Sequence, residues 1–413
     1  NKMEDAYDAF YKATWTNEQQ EMSFYYLAAI AAGKGEYEEA LEFIHKSLIK
    51  NSHNIKARGL KAILLRKLGQ MEEAKSWILE NLNVDPFDYL SRFEQVVLCD
   101  RDEEMLESVN LLMRDFQENY LQTARDYAEG GFYQEAVEVL DQCLKDYPLI
   151  HYYKGFYYNQ MGMAEDALQA DQKAEQSSPV YCFPNKLEDI AVLRDAVTNN
   201  PKGAKAYYYL GNLYYDKLQF NEAIKLWETS VSLDDTYPTV HRNLALAYYN
   251  KEQNPDGARK ELEKAFELDQ SDARVLLELD QLYKKLEVSF EDRLKKLESH
   301  GKLLKERDDL MIEYVTLHNL MGYYQEAYDL IMSHTFRPWE GAEGKITTQY
   351  KTALLELAKD AIKSENYKKA EDLLNKALVY PENLGEGRLE GTKENHLYYY
   401  LGVVRQALGD EEA

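Results

Sequence analysis

Alanines stand at positions 6, 40 and 74, a spacing of 34 residues, and the last two sit in the same frame of neighbours. Around Ala40 lie Leu27, Ala28, Gly35, Tyr37 and Ile44; Ala74 repeats the frame with Ala62, Gly69, Ile78 and a closing Pro86. It returns at Ala136, Ala167, Ala223, Ala258, Ala327 and Ala370. Small residues at fixed offsets let two antiparallel helices approach closely, a Gly ends the first helix in the left-handed conformation, and a Pro stops the second. Such a pair cannot bury its apolar face alone, so neighbours must stack. The expected fold is all-α, a right-handed α-solenoid of about eleven helix pairs, partial and degenerate ones included.

The frame is clearest around Ala223, with Leu210, Gly211, Tyr214, Phe220 and Trp227. It resembles the tetratricopeptide-repeat family over nearly the whole chain. Residues 1–179 read as N-terminal repeats, 180–345 as central repeats with loop insertions at 180–186 and 335–346, and 346–413 as C-terminal repeats with a loop at 380–391. Two stretches depart from the pattern. Residues 89–116 put Ser108 where the anchor Ala belongs and read as a degenerate pair; residues 273–307 carry a charged helix with Arg293, Lys295, Lys296 and no anchor Ala, a looser unit. Ala6, Phe10 and Ala13 read as a second helix without its first, and Ala413 ends the chain inside a repeat, so a fragment of a longer protein is expected.

With 73 acidic against 49 basic side chains the net charge is −24, and no uninterrupted Lys/Arg cluster exists to neutralise phosphates, so nucleic acid is not an expected partner. No apolar run reaches the roughly 18 residues a membrane span needs, so no membrane insertion is expected. Three cysteines (Cys99, Cys143, Cys182) form neither a disulfide framework nor a zinc knuckle, which fits a reducing, cytoplasmic setting. Nucleophile-elbow, zincin and phosphate-loop motifs are missing, and the eight histidines lack ligand spacing, His318 reading as core. No cofactor, no metal and no catalysis by this chain are expected.

Tyrosine is abundant, with 34 residues. Tyr127, Tyr158, Tyr214, Tyr248 and Tyr283 fall on the inner-packing offset and read as core. In the family resembled, first-helix side chains line the concave face, which implies a peptide groove of Lys205, Tyr208, Asn212, Tyr215, Arg242, Asn243, Tyr249 and Arg274. Asn can bond both backbone groups of an extended peptide, while Tyr supplies rigid contact area with a polar tip. Asn212, Asn243 and Arg274 are similar to a clamp for a C-terminal carboxylate, but Tyr208 and Glu278 stand where cations are needed, which argues against that ligand.

The insertions supply a second candidate: an edge-loop surface of Phe183, Asn185, Arg337, Trp339, Glu340, Glu343, Lys345, Glu382, Asn383 and Glu386. Loops of this kind emerge from one edge of a solenoid, and an exposed Trp among carboxylates suits a sugar or a docking domain. The strings FRPWEGAEGK and YPENLGEG, with YCFPNKLEDIAVLR upstream, resemble the tails of large bacterial proteins that join a β-rich domain of unknown function to tetratricopeptide repeats. The expected function is a non-catalytic scaffold that binds a protein or peptide, the chain's own missing N-terminal domain included. The alternative is an accessory part of a larger carbohydrate-active enzyme, with carbohydrate at the loops.

Overall fold

The computed structural model describes residues 2–409, and Ala413, the expected mid-repeat end, lies outside them. Among the described residues the chain is helical throughout and divides into two compact units, Asn1–Asp234 and Asp235–Ala413. The first holds α1 (Lys2–Ala13) and the pairs α2 (Gln20–Gly33) with α3 (Tyr37–Lys50), α4 (Ile55–Lys67) with α5 (Met71–Val84), and α6 (Tyr89–Leu98) with α7 (Glu103–Met113). There follow α8 (Gln117–Glu129) with α9 (Tyr133–Asp141), α10 (Pro148–Gln160) with α11 (Ala164–Gln176), a lone α12 (Leu187–Asn199), and α13 (Ala204–Asp216) with α14 (Phe220–Leu233). The second unit pairs α15 (Pro238–Asn250) with α16 (Pro255–Leu268), α17 (Ala273–Lys285) with α18 (Phe290–Glu298), α19 (Asp308–Leu320) with α20 (Tyr324–Met332), and α21 (Lys345–Lys363) with α22 (Tyr367–Ala377), and ends on α23 (Asn395–Ala407). That makes ten pairs and three unpaired helices among the described residues, against about eleven pairs expected from the period.

One register organises every pair. The anchor Ala is the fourth residue of the second helix, and its N–H donates to the carbonyl just before that helix, as Ala40 does to Glu36 and Ala223 to Gln219. The anchors from Ala40 to Ala370 are fully buried. Opposite them the first helix is small: a Cβ on Gly211 would stand 2.5 Å from the Trp227 ring and 3.2 Å from the Ala223 carbonyl. The left-handed step between the helices falls on Gly35 and Gly69, and on Leu218, Glu287 and Glu365 where no Gly is supplied.

The structure refines four expectations. In α7 the anchor position belongs to Leu106, whose N–H bonds the Asp102 carbonyl; Ser108 is exposed, because α6 is only 10 residues long and shifts the frame. In α18, which has no anchor Ala as expected, the anchor position is taken by Arg293, 2% exposed. Its Nε and Nη2 donate to Asp280 at 2.9 and 2.7 Å, and Asp280 occupies the eighth position of α17, where α4, α8, α10, α13 and α15 carry Ala or Gly. An Arg–Asp pair thus fills the gap that two small residues close elsewhere, and the α17 and α18 backbones do not approach as closely as other pairs. A Pro is expected to stop each second helix, but Pro148, which follows the Ala136 frame, instead opens α10 after α9 has ended at Asp141. Of the five tyrosines expected in the core, Tyr127 is fully buried and Tyr158, Tyr214, Tyr248 and Tyr283 are partly buried, Tyr248 and Tyr283 packing against the core of the second unit.

The other degenerate pair also encloses a carboxylate. Glu94 is fully buried and accepts from Arg66 at 2.7 and 2.9 Å and from the Tyr127 hydroxyl at 2.9 Å. Burial opposes the Arg66 charge, but Glu94 and Glu135 outweigh it and hold the guanidinium above its usual range. His318 packs in the core as expected, 4.4 Å from the Tyr314 ring.

Candidate functional site

Four expected groove residues lie on α13. All are engaged inside the first unit: Lys205 Nζ donates to the carbonyls of Glu175 (2.5 Å) and Ser177 (2.7 Å), capping the end of α11, and Tyr215 packs on Phe220 and Trp227 at 4.9 and 5.3 Å. Asn212 Oδ1 accepts from Trp227 Nε1 at 3.1 Å, which orients its amide, and Tyr208 is 4% exposed.

In the second unit Arg242 grips Glu278 with two bonds of 2.7 and 2.5 Å, and Arg274 reaches the same carboxylate at 3.1 Å. Glu278 thus holds both arginines and offsets one of their two charges, occupying the donor groups a peptide carboxylate would need from Arg242. Beside it, α15, α16 and α17 enclose a pocket of about 120 Å³ with an apolar floor (Ala245, Leu246, Leu262, Leu282) and a polar rim of Tyr249, Asn250, Glu278, Gln281 and Lys285. Lys285 Nζ sits 4.6 Å over the Tyr249 ring. Asn243 lies half-buried one position from Arg242 on α15. Gln281 and Lys285 were not singled out from the sequence, yet Glu278, Gln281 and Lys285 at spacings of three and four form one helical stripe that periodicity could have found.

The loops at 335–346 and 380–391 interlock. Phe336 N–H donates to the Asn383 carbonyl at 2.8 Å, and the Asn383 amide donates to the carbonyls of Ile331 and His334 at 2.8 and 2.9 Å, capping the end of α20. Glu386 accepts from Gly344 N–H at 3.0 Å, just before α21. Glu343 accepts from Gly341 N–H, and Asp308 ties His334 and the Arg337 N–H. Burial and Glu394 push the Tyr380 hydroxyl up to about 12. On the outside Trp339 is 38% exposed with Lys345 5.7 Å over its ring, and Arg337, Glu340 and Glu382 are exposed. In the first unit Phe183 and Asn185 are exposed, and the N–H groups of Asn185 and Lys186 both donate to Asp189 at 2.9 Å.

Two sequence spans decide the repeat type: residues 121–181 match a family model described as a tetratricopeptide repeat, and 211–252 one described as a TPR repeat. The chain carries tetratricopeptide repeats. Those tetratricopeptide spans run from α8 past α11 and from α13 past α15. Among solved structures, the C-terminal part of a TPR repeat-containing protein from Cytophaga hutchinsonii is 14% identical, with a TM-score of 0.36, over 67% of this chain and 98% of that one. Yeast Tom70 is 14% identical over 99% of this chain and 93% of its own, with a TM-score of 0.29. MamA from Desulfovibrio magneticus is 17% identical over 46% and 97%, with a TM-score of 0.28. Among the described residues no group of three His, Cys, Asp or Glu side chains is arranged to hold a metal, and no helix is long and apolar enough to cross a membrane.

Proposed function

We propose that the chain is a non-catalytic scaffold that holds a partner peptide or domain on the faces of its first helices. The observation that carries this is the pocket between α15 and α17, where Tyr249 and Lys285 frame an apolar floor beside a carboxylate already fixed by two arginines. A floor of aliphatic atoms with a rim of oriented polar groups is what an apolar side chain of an extended segment requires. Asn212 and Asn243 belong to the same reading as backbone-binding amides. The partner is a protein or peptide, a domain joined to this chain included. Residues 180–413 are then the tail of a longer bacterial protein, and a cytoplasmic location accords with three unpaired thiols. A carbohydrate-active role for the loops gains no support, because Asn383 and Glu386 are spent on backbone caps.

The test is a selection of displayed peptides against the chain, followed by titration of the enriched sequences. Tyr249→Ala with Lys285→Ala is expected to lower their affinity at least tenfold, while Trp339→Ala with Glu340→Ala leaves it unchanged. Enrichment of peptides that bind both variants like the unaltered chain would remove the first-helix face as the site.

A further inference from the structure

A different surface, sharing no residue with that pocket, lies around α7. Elsewhere in the first unit second helices pack closely on the helix that follows, as α3 does on α4, α5 on α6 and α9 on α10; α7 does not do so on α8. The chain reverses there through Arg114 and Asp115, both in the left-handed region at φ 57° and 47°. Next to it α9 stops at Asp141, and residues 142–147 run on without helix. What remains is an open groove of about 620 Å³ between α7, the start of α8 and the end of α9, within the roughly 300–1,000 Å³ of ligand-binding clefts. On the other side of α7 a second cavity of about 160 Å³ is lined by Phe93, Val96, Val97 and Leu106, and the two share Asp141 and Gln142.

The lining says what fits. Leu111 and Leu144 stand 78% and 88% exposed at the groove, unusual for side chains whose burial is worth about 2 kcal/mol each. Around them are four carboxylates (Glu104, Glu107, Asp115 and Asp141) against one guanidinium, Arg114. Asp115 is held by the Leu144 N–H at 2.9 Å and Asp141 by Lys154, whereas Glu104 and Glu107 face solvent on α7. A second copy of this chain, at −24, would bring like charge to the groove.

We infer that the α7 groove docks a basic amphipathic segment of a partner protein, with large aliphatic side chains against Leu111 and Leu144 and Lys or Arg beside Glu104 and Glu107. The occupant supplies the packing that α7 and α8 do not make with each other.

The experiment uses the full chain and two fluorescein-labelled twelve-residue peptides, one built of Leu and Lys, the other of Leu and Ser. Binding is followed by anisotropy, and the bound complex by hydrogen exchange. The Leu/Lys peptide is expected to bind and to protect the amides of α7 and residues 142–147. Glu104→Gln with Glu107→Gln should weaken it severalfold and Leu111→Ser about tenfold, while Glu38→Gln with Glu42→Gln on α3, an equal change of charge, leaves it intact. Circular dichroism confirms folding, which substitution of an exposed Leu preserves. Equal weakening by the α3 variant, equal binding of the Leu/Ser peptide, protection confined to other helices, or no binding would each overturn the inference.

Discussion

Asp171 on α11 is 1% exposed, and its Oδ1 has no hydrogen-bond partner. That oxygen faces Gly155, where a Cβ would stand 2.5 Å away; Oδ2 receives only the Asn199 amide at 3.3 Å. Burial, aided by Asp195 and Glu175 and opposed by Asn199, pushes the carboxyl up to about 7 from the ordinary 3.8. The folded chain therefore holds a proton that the unfolded chain releases, so stability is fully present below pH 4 and is lost as pH rises to 7. At about 1.4 kcal/mol per pH unit, the loss above pH 8 is about 4 kcal/mol, shrinking to about 0.5 near pH 4. Asp171→Asn keeps the shape and the acceptor for Asn199 but cannot ionise. At pH 8 it should stabilise the region by up to that 4 kcal/mol, read as slower exchange of α11 and α12 amides by up to about a thousandfold against the unaltered chain at the same pH. Near pH 4 the two proteins should exchange alike. Indistinguishable protection at pH 8 would refute the reasoning, because Asp171 would then be ionised in the fold without cost.

The buried pair in α17 and α18 makes a second prediction. Arg293→Ala leaves Asp280 buried with no cation and should cost about 3–5 kcal/mol, whereas adding Asp280→Ala should recover much of that loss, both read from urea unfolding followed by circular dichroism. At the interlocked loops, Gly385 has φ +70°, and a Cβ there would lie 2.4 Å from the Phe336 carbonyl oxygen. Gly385→Ala should cost about 2 kcal/mol and speed proteolysis within 335–346, while Gly387→Ala, with open space around it, should not. A fourth test sits beside it: Asn383→Ala removes two hydrogen bonds at the end of α20 and should cost about 1–3 kcal/mol, seen as a lower melting temperature.

Repetition made the architecture legible. Eight anchor alanines at recurring offsets specify helix pairs because close helix approach tolerates nothing larger at those points, so the pattern survives in one dimension. Where the period lapses, the sequence carries only charge, and charge alone does not reveal its partner. Arg293 read only as one charge of a helix without an anchor Ala because Asp280, thirteen positions earlier, meets it only once the helices have folded back on each other. The same holds for Lys205, whose reach to the end of α11 depends on how the lone α12 between them folds back, and for Asn383 and Glu386, which looked like surface groups and are backbone caps. Residue spacing thus determined the helix pairs and the faces they bury. Only tertiary packing decided which polar side chains remain available, because hydrogen-bond partners are matched by distance in space, and that distance is set after the helices stack.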